Sequence, residues 1–387
     1  MKKSILILVF AFVPSLIFAQ NKTIDSLTKV LKNTKDVSDQ IRLRCEISQQ
    51  WIEIGELVLG EKIANKALAE AKINKDKSNV ALAYYSLGRL NQYHGYLKEA
   101  LSFHNQAMPL FEELHLNEQL AWTYLNIGIT QRALENLPKA IEFDKKALTI
   151  FKKIENKQGI AYSYINLGLA FDDSKEHERA MQQMLNAKNI CLSTNDIKGL
   201  GYVYHTLGNI YENTGDYDEA VKANLSCFPL KKQYNDKMGM ALSYANLTDA
   251  YFKQGSWKKS EQTVIKGEQL AKEVNSTKAL SKLYLTWARL DSINGNYQEA
   301  LAHFQKHTYN KSVLESEKQR GKISELEHSL DVINNKIAAL QSSNKKTNKI
   351  EEIGIDKLPL ALGSLVVILL SIIGYLTVKI RVKTTKK

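Results

Sequence analysis

Proline is scarce in this sequence, cysteine scarcer, and runs of alternating Val, Ile and Thr are nearly absent. Five prolines in 387 residues leave long stretches free of helix breakers, and the missing alternation excludes a β-rich domain. Three cysteines, Cys45, Cys191 and Cys227, make no disulfide framework, and no CxxC pair occurs. There is no HExxH, no glycine-rich phosphate loop and no nucleophile elbow. The eight histidines are scattered, with no two one helical turn apart around a carboxylate. The expectation is a non-enzymatic, nearly all-helical chain with no cofactor and no metal.

The formal charge of +12 suggests nucleic acid until it is located. Lys2, Lys3, Lys357, Lys379, Arg381, Lys383, Lys386 and Lys387 cluster at the two ends, and without these eight the body carries only +4. That is a solvated, mildly basic surface, and no nucleic-acid partner is expected.

Both ends carry targeting signals. Residues 1–19 place two lysines before an apolar run that closes on Phe18-Ala19, the layout of a signal peptide cleaved after Ala19. Residues 358–378 hold 21 positions without a charge, long enough at ~1.5 Å per residue to span a ~30 Å hydrocarbon core. The tail 379–387 is basic and should stay in the cytoplasm. The expected arrangement is a single-pass protein of a bacterial inner membrane, with its body in the periplasm.

Between these ends the chain repeats itself every 40 residues. Tyr84, Tyr124, Tyr164, Tyr204, Tyr244 and Tyr284 form one column without insertion. Leu87, Ile127, Leu167, Leu207 and Leu247 follow three later, and then Gly88, Gly128, Gly168 and Gly208, with Thr248 and Ala288 in the later copies. Ala100, Ala140, Ala180, Ala220 and Ala300 form another column, broken by Ser260. Small residues let paired helices approach, and the tyrosines are expected to pack between successive units. Turns between the two helices of a unit are expected at Gly95, Gly215, Gly255 and Gly295, and turns between units at 156–159 and 195–199.

This pattern resembles the tetratricopeptide repeat, most fully at Tyr204, Leu207, Gly208, Tyr211 and Ala220. The resemblance covers residues 41 to about 320, although the period exceeds the usual ~34 residues and the extra residues should lengthen the helices. It implies an all-α, right-handed superhelix of about seven units: 41–80, 81–120, 121–160, 161–200, 201–240, 241–280 and 281–320. The first is divergent, with Arg44 for tyrosine and Ser48 for glycine, and a capping helix is expected within 20–40.

In this family one face of every first helix lines a groove that takes a peptide or protein segment. The residues expected there are Tyr85, Arg89, Trp122, Asn126, Arg132, Tyr162, Asn166, Tyr202, His205, Asn209 and Asn246. Asparagine recurs before the Leu-Gly column at Asn126, Asn166 and Asn246, where a carboxamide can serve a peptide backbone or bond a neighbouring helix. Cys227 shares a small-residue column with Ala107, Ala147 and Ala187 and is expected to pack, while a Cys191 to Cys227 bridge stays open as an alternative.

After the repeats, Ile323, Leu326, Leu330, Ile333, Ile337 and Leu340 follow the spacing of a coiled-coil seam within 321–343, which offers a homodimer. A polar linker, 344–357, leads to the apolar segment. The order resembles the sensory half of bacterial membrane regulators, whose periplasmic tetratricopeptide repeats connect through a span to a histidine kinase or helix-turn-helix output domain. No such domain occurs in these 387 residues, so the expectation is a separate output partner or a truncated relative. The rival reading is an envelope assembly scaffold without a signalling role.

Overall fold

The computed structural model describes residues 14–347, with side chains in full from Thr23 to Ser316 and at a few positions beyond. Among the described residues there are fifteen α-helices and no strand: α1 (Pro14–Asn33), α2 (Val37–Glu53), α3 (Leu57–Ile73), α4 (Lys77–His94), α5 (Leu97–Glu113), α6 (Asn117–Ala133), α7 (Leu137–Lys153), α8 (Lys157–Asp173), α9 (His177–Thr194), α10 (Ile197–Thr214), α11 (Tyr217–Gln233), α12 (Lys237–Lys253), α13 (Trp257–Glu273), α14 (Thr277–Ile293) and α15 (Tyr297–Thr347). The chain divides into two compact units, Met1–Glu327 and His328–Lys387. The repeat array lies in the first, and the described part of the second is the end of α15.

The 40-residue period is two periods of 20, one helix and one turn each. Left-handed residues mark the turns at Gly55, Lys75, Gly95, His115, Glu135, Glu155, Lys175, Asn195, Gly215, Asn235, Gly255, Asn275 and Gly295. Only five of these thirteen are glycine, so the turn is imposed by its flanking helices as much as by residue preference. A second column, Asp36, Asp76, Asn156, Asp196, Asp236 and Ser276, caps the first helix of six of the seven pairs, while Leu116 at the head of α6 makes no side-chain cap. The helix pairs begin at 37, 77, 117 and onward, four residues before the units framed on the tyrosines. Residues 37–40 therefore belong to α2 and not to the cap, while α1 runs from Pro14 through the position expected for cleavage.

The glycine column works by close approach to one residue of the second helix. A side chain on Gly88, Gly128, Gly168 or Gly208 would collide with His104, Asp144, Met184 or Asn224, respectively. All four partners are buried. Where glycine is missing, the crossing changes hands: Ser48 donates to the carbonyl of Gly60 at 2.7 Å, and Ser260 to that of Thr248 at 2.7 Å. Tyr84, Tyr124, Tyr164 and Tyr204 are half-buried between units, each with a lysine ammonium about 5–6 Å from its ring centre. Ala100, Ala140, Ala180 and Ala220 are fully buried.

The last pair departs from this rule. Phe304 holds the chain position of His104, Asp144, Met184, Asn224 and Val264, all buried, yet it is 48% exposed. His303 and His307 face α14 instead. The His303 ring stacks 4.3 Å from Trp287 with Nδ1 2.7 Å from Asp291, and His307 Nδ1 lies 2.8 Å from the Ser281 carbonyl. Helix α15 is thus turned by about one residue, roughly 100°, relative to the other second helices. Ala288 replaces glycine on α14, and large rings fill the crossing.

Helix α15 continues through the expected seam. Leu326 is exposed and Ile323, Leu330 and Ile337 are half-buried. The side chains of Ile333 and Leu340 lie outside the described residues, as do positions 1–13 of the expected signal peptide, the linker beyond 347, the apolar segment 358–378 and the tail 379–387. Among the described residues no helix is long and apolar enough to cross a membrane. Cys45, Cys191 and Cys227 are all free and buried. Burial pushes the Cys45 and Cys191 thiols up to about 12.

Candidate functional site

One face of helices α2, α4, α6, α8 and α10 forms a recess of about 780 Å³. Seven of the eleven expected groove residues line it: Tyr85, Arg89, Trp122, Asn126, Tyr162, Asn166 and Tyr202. They share a face because first helices repeat every 40 residues, which returns equivalent side chains to one side of the stack.

Aromatic rings make the floor. Trp122 meets Phe151 edge-on at 4.9 Å and Tyr162 at 6.2 Å. Tyr85 is wedged near His104 and Phe111, and Tyr202 stays 45% exposed. Burial raises the Tyr85 and Tyr162 phenols above their ordinary range, so both remain neutral donors and acceptors. Arg89 bonds Glu53 at 3.3 Å. Burial opposes its charge, but Tyr85 and Glu53 outweigh that and hold it protonated.

The three recurrent asparagines have three fates. Asn126 donates to the Tyr85 hydroxyl and the Trp122 carbonyl, both at 3.1 Å. Asn246 is committed on both sides, donating to Asn209 at 2.8 Å and accepting from Lys282 at 2.9 Å. Asn166 faces the recess, is 8% exposed, and has no hydrogen-bond partner. A buried carboxamide with free donor and acceptor is suited to a main-chain amide.

The other four expected residues lie outside the recess. Arg132 pairs with Asp173 at 3.1 Å. His205 is mostly buried, with Nδ1 unpartnered and its pKa lowered to about 3 by burial and then by Lys231, Lys282 and Lys278. Asn209 and Asn246 bond each other, and Lys253 bridges Glu212 and Asp249, three residues on along the same helices, each at 2.8 Å. The asparagine column therefore changes role along the array, bonding a neighbouring helix at Asn126 and Asn246 and facing the recess without a bond at Asn166.

Sequence reasoning missed the rim. Glu118, Gln158 and Lys198 stand one turn before Trp122, Tyr162 and Tyr202 on the same helix faces and line the recess. Extending each aromatic column back by four residues would have found them. Gln49, Gln92 and Gln119 add carboxamides, and Gln92 donates to the Asn126 carbonyl at 2.7 Å. Among the described residues no group of His, Cys, Asp and Glu is arranged to hold a metal ion.

Comparison with known proteins accords with the geometry. Residues 119–191 and 201–226 match models of the tetratricopeptide repeat, so the chain carries tetratricopeptide repeats. No curated protein matches it in sequence. Among solved structures, it is similar to a Rap protein complexed with competence and sporulation factor, with 15% identity over 79% of this chain and 96% of that one, and a TM-score of 0.56. Aspartyl phosphate phosphatase F from Bacillus subtilis gives 16% identity, 72% coverage of each chain and a TM-score of 0.55. NprR in complex with its cognate peptide NprX gives 18% identity over 80% of this chain and 86% of that one, with a TM-score of 0.54. At these identities the likeness is one of fold.

Proposed function

We propose that this protein is a non-enzymatic, membrane-anchored receptor that binds a peptide or protein segment in the recess of α2–α10. On this reading it is the sensing part of a signalling system on the periplasmic side. The single observation that carries the reading is Asn166, a buried carboxamide without a hydrogen bond set among Trp122, Tyr162 and Tyr202, where Asn126 and Asn246 at the same repeat position are bonded. By their own titles, one of the similar structures holds competence and sporulation factor and another its cognate peptide NprX, and the latter supports the ligand class. The apolar segment 358–378, the basic tail 379–387 and the signal layout of 1–19 support anchoring with the repeats outside the cytoplasm. The seam from Ile323 to Leu340 offers a homodimer.

The test uses full-length protein in detergent against arrayed 15-residue peptides. Asn166→Ala and Tyr162→Ala should each weaken capture while the thermal transition of Asn166→Ala stays in place. Capture that ignores both substitutions sinks the reading and favours the scaffold. The topology is tested separately in a variant lacking the native cysteines. A cysteine in 379–387 should resist membrane-impermeant thiol reagents in spheroplasts, and one in 195–199 should react.

A further inference from the structure

Outside its ion pairs, the lining of the recess carries one charge of each sign. Glu118 on α6 and Lys198 on α10 occupy equivalent positions two repeats apart, with neutral Gln158 on α8 between them. Both side chains are exposed. Glu118 accepts one bond, from Asn156 at 2.9 Å, and has no cationic partner. Lys198 has no partner at all, whereas Arg89, the other cation of the lining, is bonded to Glu53 and the carboxylate of Glu46 to Arg42. The two charges are therefore left for something placed between them.

We infer that the recess takes a short peptide with free ends, about six residues long, its α-amine at Glu118 and its α-carboxylate at Lys198. This rests on the groove reading above and narrows it. Neighbouring first helices pack at about 8–10 Å, so two steps from α6 to α10 cover about 16–20 Å. An extended chain advances ~3.3 Å per residue, and that span fits five to six residues. Over this length the ligand crosses Trp122, Tyr162 and Tyr202, which take apolar side chains, and meets Asn166, which serves one main-chain amide. The direction follows from charge: an ammonium is favoured beside a carboxylate and a carboxylate beside an ammonium, and the reversed chain places like charges together.

The probe is a hexapeptide of Leu, Phe, Ser and Ala, with free ends and no charged side chain, titrated calorimetrically into full-length protein in detergent at low salt. N-acetylation and C-amidation should each weaken binding about three- to fivefold, the size of an exposed ion pair. The effect of acetylation should vanish in Glu118→Gln and that of amidation in Lys198→Gln, both exposed substitutions that leave the fold intact. Raising salt should shrink both effects. If blocking the ends changes nothing, or the losses persist in the two variants, the inference is overturned. If the hexapeptide fails to bind at millimolar concentration while 15-residue peptides bind and need Asn166, the inference falls and the groove reading stands. If neither class of peptide binds, both fall.

Discussion

Asp144 of α7 lies directly against Gly128 of α6, its Oδ1 buried and without a partner. Burial raises this carboxyl well above its ordinary range, with Arg132 only partly offsetting it. The folded chain therefore holds the proton more tightly than the unfolded chain. Stability from this site is complete at pH values below the unfolded pKa and declines as pH rises through the folded one. Asp144→Asn should stabilise the protein at pH 8 by about 1–3 kcal/mol, because Asn224 at the equivalent position donates to the Ala220 carbonyl at 2.9 Å. Thermal melts across pH should show the gap closing toward pH 4. A gap that stays constant with pH would show that the carboxyl is not the cause.

His104, the same position one repeat earlier, gives the opposite slope. Both ring nitrogens are buried and unpartnered, and burial, followed by the nearby Arg89 charge, lowers its pKa to about 3. Between about pH 6.5 and 3 the unfolded chain takes a proton that the folded chain refuses, so stability is lost as pH falls through that window. His104→Met, the residue found under Gly168, should flatten the acid limb of the stability curve. The check is a denaturant midpoint series from pH 4 to 7, and an unchanged slope counts against the assignment.

The left-handed turns predict a pair of opposite effects. Glu135 adopts φ +62° and Gly255 φ +82°. Glu135→Gly should stabilise the array by up to about 1 kcal/mol, and Gly255→Ala should cost about 1–2 kcal/mol. Nothing lies within 4 Å of a side chain added at Gly255, so the cost is conformational and not steric. Chemical denaturation of the two variants decides it, since a steric origin would leave Glu135→Gly without effect.

Asn246 and Gly168 separate structure from binding. Asn246→Ala removes the bonds to Asn209 and Lys282 and should destabilise the array by about 1–2 kcal/mol while leaving peptide capture unchanged. Gly168→Leu drives a side chain into Met184 and should cost about 1–3 kcal/mol or more. Melting curves and peptide titrations on the same samples test both, and Asn246→Ala that abolishes capture without loss of stability would place the site further along the array.

Much of the array was legible because a repeat writes its packing rule into every copy. The tyrosine, glycine and alanine columns, read at a period of 40, announce paired helices with small residues at the crossing. The frame was harder: the cap residues Asp76, Asn156, Asp196 and Asp236 set it, and they stand apart from the aromatic column that catches the eye. Seven groove residues fall in the recess for the same reason of periodicity, while Arg132, Asn209 and Asn246 are taken up by neighbours and His205 is mostly buried outside it with Nδ1 unpartnered.

The sequence by itself determined the helical class, the length of the repeat, the face that lines the recess and the two charged ends of the chain, because these follow from local spacing and composition. Tertiary structure alone decided which member of each column is free. Asn126, Asn166 and Asn246 are one residue type at one repeat position, yet only Asn166 is without a bond, since Tyr85, Asn209 and Lys282 come from other helices. It also decided that Phe304 faces outward while Val264 is buried, because the rings of Trp287 and His303 fill the crossing that smaller residues leave open to the partner helix elsewhere. A column records what a position can be, and the neighbours brought to it across the stack fix what it does.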